Sequence, residues 1–341
     1  MKWRLEPGWI ERVAKVAKET SDRDESRFNI NFYMDRHKLF PRYVMLKLVD
    51  TSRGYGHLYA SQDVDQIYPG LSVAFGKDTI HKIVKPCLQD GAGDLLYVDH
   101  AYFDRGYRWK GVHSGNPPSF RIVANGIHPT KIERRPADRF EKFNIKLKPW
   151  KTEGEYVLVC PPTGFFSGAM GMKPNWLKNT MKIIRANTDR PIRVRPKPGG
   201  TDIRPIYRAV KGISNAEVLS SSIDRPIQVD LKGAWACVAP ASATSIEAII
   251  EGVPIFTEKI SPAQGIAVHD YRYIEYPIYP DREPLLYHLA YCQFEITEIE
   301  SGHAFDFLVK NHKRLFKAIR KSSQASKIEK RKKKMSIKEN T

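Results

Sequence analysis

Apolar positions along this chain fall into short blocks, and their spacing changes between the two halves. In the first half, blocks rich in β-branched and aromatic residues predict strands at 28–33, 43–49, 71–75, 95–98 and 120–124. Between the third and fourth, Ile80, Ile83 and Val84 recur at helical spacing within 78–88, and Gly91-Ala92-Gly93 closes that stretch. Strand, helix, strand is the order of a parallel sheet. A charged segment before these blocks predicts one helix over 10–18. The polar stretch 129–154, rich in Lys, Arg and Pro, is the expected linker.

The pattern restarts after the linker. The continuous apolar run 156–160 predicts a buried parallel strand, and Pro161-Pro162-Thr163-Gly164 predicts a turn. Helices are expected at 176–186, 205–211, 246–251, 284–294 and 304–319. Strands are expected at 192–194, 216–219, 235–238 and 253–257. This βαβ alternation is Rossmann-like. The expected fold class is α/β, with two Rossmann-like domains facing a central cleft. Domain one would span 1–150, domain two 151–320, and 321–341 would be a basic, disordered tail.

Composition narrows the function. Of 341 residues, 41% are hydrophobic and 11% aromatic, enough for real cores. No apolar run reaches membrane-spanning length, and the first residues lack the apolar core of a signal peptide, so a cytoplasmic location without integral membrane association is expected. Cys87, Cys160, Cys237 and Cys292 form no CxxC pair and suggest buried free thiols. Neither HExxH, GxxxxGK[ST] nor paired zinc-ligand spacing occurs, so no obligatory metal is expected. A formal charge of +18 points to a polyanionic partner. Much of it lies from Lys310 onward, where thirteen Lys or Arg face two Glu, and the run Lys330-Arg331-Lys332-Lys333-Lys334 fits either phosphate binding or a solvated extension.

The most informative segment is 239–256, Ala-Pro-Ala-Ser-Ala-Thr-Ser-Ile-Glu-Ala-Ile-Ile-Glu-Gly-Val-Pro-Ile-Phe. A strand ends near Val238, a loop of small residues follows, and a helix opens at about Ser242 to Ser245. Small residues let a ligand approach the backbone, and a helix N-terminus favours phosphate. Ser242, Thr244 and Ser245 add hydroxyls. Thr244-x-x-Glu247 equally fits a capping box, in which Glu247 satisfies only a backbone N–H. Arg195 and Lys197, in Arg193-Val-Arg-Pro-Lys197, stand at a strand end where they would meet a phosphate or remain solvated edge charges. Thr163 and Gly164 follow the first strand of this half, another place where such folds bind ligand.

In the first half, Asp99 follows a buried strand. It is the favoured general base for a hydroxyl acceptor, with His100 and Asp104 as the other candidates; capping of the next turn is its ordinary role. Tyr102 to Lys110 interleaves aromatics with cations, and Arg105, Arg108, Trp109 and Lys110 suit either an unpaired base and its phosphates or an ordinary basic loop.

Ser-x-x-x-x-Glu-Ala followed by Gly-x-Pro in 242–254 resembles the donor signature of GT-B glycosyltransferases. Together with 97–103, 230–238, Glu275-Tyr-Pro, Asp281-Arg282 and 289–293, it is similar to a family of phage-encoded glycosyltransferases. The resemblance covers about half of the chain in separate islands. It implies a nucleotide-sugar donor, a UDP-sugar first, with small residues at the pyrophosphate and Glu247 on the ribose. It further implies inverting transfer to a modified pyrimidine in DNA. The sequence departs from the family at His100, where Asn is frequent, and at Ala243, which replaces a polar residue. The alternatives are a transferase building surface polysaccharide or a glycerol-phosphate polymer, and a non-catalytic nucleic-acid-binding relative.

Overall fold

The computed structural model describes residues 28–35, 38–104, 107–108, 111–112, 117–173, 175–198, 202–220 and 225–319. The expected helix at 10–18 and the residues beyond 319 lie outside them. Among the described residues thirteen strands follow in chain order: β1 (Ile30–Met34), β2 (Gly56–Ala60), β3 (Leu71–Phe75), β4 (Leu95–His100), β5 (Tyr107–Arg108), β6 (Gly111–Val112), β7 (Ser119–Ala124), β8 (Tyr156–Val159), β9 (Ile192–Val194), β10 (Ala216–Val218), β11 (Ala234–Val238), β12 (Ile255–Phe256) and β13 (Gln293–Glu295). The fold is α/β, with two compact units.

The first unit comprises 1–126 and 294–341. Its sheet runs β13-β7-β4-β3-β1-β2. β1, β2, β3 and β4 are parallel, and β7 lies antiparallel to β4. One core joins Phe32, Val73, Val98 and Ile122 of the sheet to Leu46, Phe305 and Phe316 from helices and turns around it.

The block at 43–49, expected as a strand, is instead part of the helix Leu39–Thr51. Tyr43, Val44, Met45, Leu46 and Leu48 are all buried there. A helix covered on nearly every side needs no amphipathic period, and its apolar run then looks like a buried strand. Likewise, the helix expected over 284–294 ends at Tyr291 and the chain enters β13; the helix begun at His303 ends at Asn311.

The second unit comprises 127–293. Its five strands are parallel in the order β10-β9-β8-β11-β12. In chain order that is 3-2-1-4-5, the Rossmann winding. The compact units therefore divide at 126/127 and 293/294, where the sequence had suggested 150/151 and 320/321. The expected linker is built into this unit. Lys148 N donates to Ile250 O at 3.0 Å and Lys151 N to Gly252 O at 2.7 Å. Arg282 donates to Ile249 O, and its guanidinium sits 4.6 Å from the Trp150 ring centroid. Gly252 has φ +72°, and a Cβ there would fall 2.0 Å from Pro149 O, so only glycine lets the backbones meet.

Candidate functional site

Strand order marks a candidate site in the second unit. The chain leaves β8 toward β9 and β10 but leaves β11 toward β12, so the connections part between β8 and β11. At such a switch point the loops diverge and open a ligand-sized crevice beyond the strand ends. Two segments reach it: 160–164 after β8 and 239–243 after β11. Cys160, Ala239 and Ala241 are buried; Thr163 and Ser242 are half-buried.

Local hydrogen bonds shape both loops. Thr163 caps the helix Gly164–Ala169, its Oγ1 accepting from Phe166 N at 3.4 Å. Ser242 Oγ accepts from Thr244 N at 3.1 Å as the chain enters the helix Thr244–Ile250. Ser245 turns inward: its hydroxyl donates to Ser242 O at 2.9 Å and accepts from Ser261 Oγ at 3.2 Å. Ser245 thus holds the loop's shape, leaving Ser242 and Thr244 as the half-buried hydroxyls. Thr244 stands inside the helix, whose cap position is Ala243, so the Thr244–Glu247 capping box is not formed. Glu247 lies half-buried in the first turn.

Two cations were expected to face this crevice. Arg195 does not remain a phosphate-facing fork. It is buried, Nη1 donates to Asp230 Oδ2, and Nη2 donates to Arg225 O at 2.6 Å. Arg225 Nη2 closes on the other Asp230 oxygen at 2.6 Å. Arg195 is therefore a buried clamp between the β9 end and 225–230. Lys197, two residues further on, is exposed.

The sequence missed the end of β12. Glu258 N donates to Pro240 O at 3.2 Å, tying that end to the small-residue loop. The Glu258 carboxylate accepts from Trp176 Nε1 and Tyr271 OH, each at 2.8 Å. Burial and the adjacent Glu258 charge push the Tyr271 phenol well above its ordinary value. Thr257 Oγ1 is buried without a hydrogen-bond partner among the described residues. The available signal was positional: Thr257 and Glu258 follow a short buried strand next to β11.

In the first unit, Asp99 ends β4 in a tight polar set. Its carboxylate accepts from Tyr97 OH at 3.0 Å, His100 N at 2.8 Å and Arg121 Nη2 at 2.8 Å. Burial alone would raise its pKa. The Arg121 guanidinium, His100 and these hydrogen bonds outweigh that and hold it well below the usual carboxylate range. A carboxylate so held is a weak proton acceptor near neutral pH. The His100 ring lies against Phe75 and Phe120, with centroids at 6.1 and 6.5 Å. Asp104 is exposed with φ +28°, an unusual backbone for a residue other than glycine.

Arg105, Trp109, Lys110 and Lys330, Arg331, Lys332, Lys333, Lys334 lie outside the described residues. Arg108 lies in β5, paired with β6. Among the described residues no group of three or more His, Cys, Asp or Glu side chains converges as a metal site, and no helix is long and apolar enough to cross a membrane.

No protein-family model matches the sequence, and no curated protein matches it. Among solved structures, the chain is similar to a KpsC beta Kdo 2,7 transferase of Thermosulfurimonas dismutans. The identity is 11% over 81% of this chain and 98% of that one, with a TM-score of 0.46. A KpsC beta Kdo 2,4 transferase of the same organism matches at 13% over 79% and 92%, also with a TM-score of 0.46. The heptosyltransferase WaaC of E. coli, with ADP-2-deoxy-2-fluoro heptose, matches at 13% over 73% and 83%, with a TM-score of 0.27.

Proposed function

We propose that this chain is a glycosyltransferase of the GT-B type that takes its sugar from a nucleotide sugar. The observation carrying the proposal is the loop 239–243 at the switch point of a five-stranded parallel sheet, in the segment that resembles the GT-B donor signature. Small, uncharged residues there leave room for a pyrophosphate beside backbone N–H groups. Ser242, Thr244, Thr163 and Gly164 are the proposed phosphate-side residues, Glu247 the ribose ligand, and Lys197 the cation. A UDP-sugar is the first donor to test.

In the proposed inverting step, an acceptor oxygen attacks the anomeric carbon. The bond from that carbon to the phosphate oxygen breaks, the nucleoside diphosphate leaves with the electron pair, and the acceptor's proton passes to a base. Because Asp99 is tied to Arg121, His100 becomes the first candidate for that base and Asp104 the second. Asp99 then positions the β4 end.

The proposed acceptor remains a hydroxyl on a modified pyrimidine in DNA, supported by the +18 charge and the aromatic–cationic stretch 102–110. A surface polysaccharide or glycerol-phosphate polymer is the second reading, favoured by exposed cations on folded helices of the second unit. Calorimetric titration with a panel of nucleoside diphosphates tests the donor site, and no heat with any of them overturns it. Mass analysis of nucleosides from modified DNA, beside glycan and lipid acceptors, separates the acceptor classes. Release of nucleotide from a sugar nucleotide excludes the non-catalytic alternative.

A further inference from the structure

The helices Trp176–Arg185 and Arg204–Val210 follow β8 and β9 and cover one side of the second sheet. Met181, Ile184, Ile206 and Val210 join Ile192 and Val194 in a single core, so both helices rest on the same sheet face. Their outward sides are therefore presented together. The segments 173–186 and 202–211 hold seven Lys or Arg against one Asp, a net of +6. That one acid, Asp202, is held by Arg204 at 2.9 Å through two nitrogens. Lys178, Lys182, Arg208 and Lys211 are exposed.

Large apolar side chains stand among these cations. Ile183 is 39% exposed, Ile203 42% and Tyr207 53%. A solvated cationic helix face has no need of them, and a duplex phosphate backbone offers isoleucine nothing to bury against. A lipid surface uses both: headgroup phosphates attract the cations, and the boundary with the acyl chains takes up the apolar groups.

We propose that this two-helix face docks on an anionic lipid surface. The cations supply attraction that falls with salt, and Ile183, Ile203 and Tyr207 supply a shallow apolar anchor that salt does not screen. The proposal does not rest on the donor site, because none of these residues belongs to the proposed donor set; the same cations are those that favour the second acceptor reading.

The full chain is sedimented with vesicles of phosphatidylcholine alone and of phosphatidylcholine mixed with phosphatidylglycerol. Two double variants are compared with it, Lys182→Glu with Arg208→Glu, and Ile203→Ser with Tyr207→Ser. The native chain is expected on the anionic vesicles only. Charge reversal should lower its partition roughly tenfold or more, since each cation near such a surface contributes about 1 kcal/mol. The apolar pair should lower it several-fold and leave the remaining binding more salt-sensitive. Both variants keep the terminal cations, so vesicle binding equal to the native chain's in both overturns the proposal. Weaker binding to a DNA duplex with unchanged vesicle binding also overturns it and gives the face to nucleic acid. Nucleotide titration of the same variants reports the donor site separately, so the two readings fail independently.

Discussion

Each unit has parallel strands that part at a switch point, and the two points are chemically opposite. In the first unit the point lies between β1 and β3, and charge fills the strand ends. Lys38 bonds to Asp78 and stands 3.9 Å from Asp35, which also accepts from Gln62 at 2.7 Å. In the second unit the loops after β8 and β11 are uncharged and small, and the ion pair of Arg195 with Asp230 is sealed inside. The first set of charges is already engaged by its own partners. In the second, the loop residues themselves carry no charge, and the nearby Glu258 carboxylate is occupied by Trp176 and Tyr271. A similar winding thus yields one switch point whose charges pair among themselves and one whose loops are small and uncharged, as the proposed donor site requires.

The largest test of this contrast removes one acid from each unit. Asp230→Ala strands Arg195 as a buried, unpaired cation and should cost about 3–5 kcal/mol. Asp78→Ala breaks a pair whose lysine is 41% exposed and should cost about 1 kcal/mol or less. Urea denaturation measures both, and equal losses would erase the distinction between a sealed clamp and a solvated network.

Acid titration sharpens it next. The Asp99 carboxyl is depressed in the folded chain, so its contribution to stability is present above the unfolded value, near pH 4, and is lost as pH falls toward the folded value. Asp99→Asn should be less stable than the native chain at neutral pH, because Arg121 loses its partner. The gap should narrow as pH falls below about 4. A constant gap across a pH series of thermal melts would mean that Arg121 does not hold that charge. The same variant should retain most transfer if His100 is the base.

How far these features were legible depended on whether a residue's role is local. β8, β9, β10 and β11 were readable because a buried parallel strand is a bounded apolar run, and the loop after β11 was readable because strand, small residues and helix adjoin in sequence. The helix Leu39–Thr51 was not, since burial on nearly all sides erased its period. Arg195 and Asp99 were placed at strand ends correctly, yet their partners lie 35 and 22 residues away, and those partners decide whether a charge faces ligand or protein. Glu258 had only its position after a buried strand to mark it, for the same reason: Trp176 and Pro240 reach it only in the fold.

Filling the crevice tests the contrast directly. Ala243→Trp puts an indole where the second switch point is small, and it should weaken nucleotide binding at least about tenfold, or ~1.4 kcal/mol. Lys38→Met, at the first switch point, should leave nucleotide affinity unchanged. If calorimetry shows the reverse, the donor belongs to the first unit.

The smallest effect belongs to Ser242. Its Oγ accepts from Thr244 N, and its carbonyl takes both Ser245 N and the Ser245 hydroxyl, so one residue closes the turn into the helix Thr244–Ile250. Ser242→Ala removes only the side-chain acceptor ahead of the Ala243 cap position, a single local hydrogen bond that contributes about 1 kcal/mol. The carbonyl contacts survive, and the fold should survive with them. If the hydroxyl serves the turn alone, Thr244 N is left without that acceptor and open to phosphate, so nucleotide affinity should hold or rise slightly while the melting temperature drops. If the hydroxyl itself turns to the phosphate when donor binds, affinity should fall along with stability. Paired melts and titrations on this one variant therefore distinguish a loop that binds through its backbone, as the contrast between the two units requires, from one that binds through its side chains.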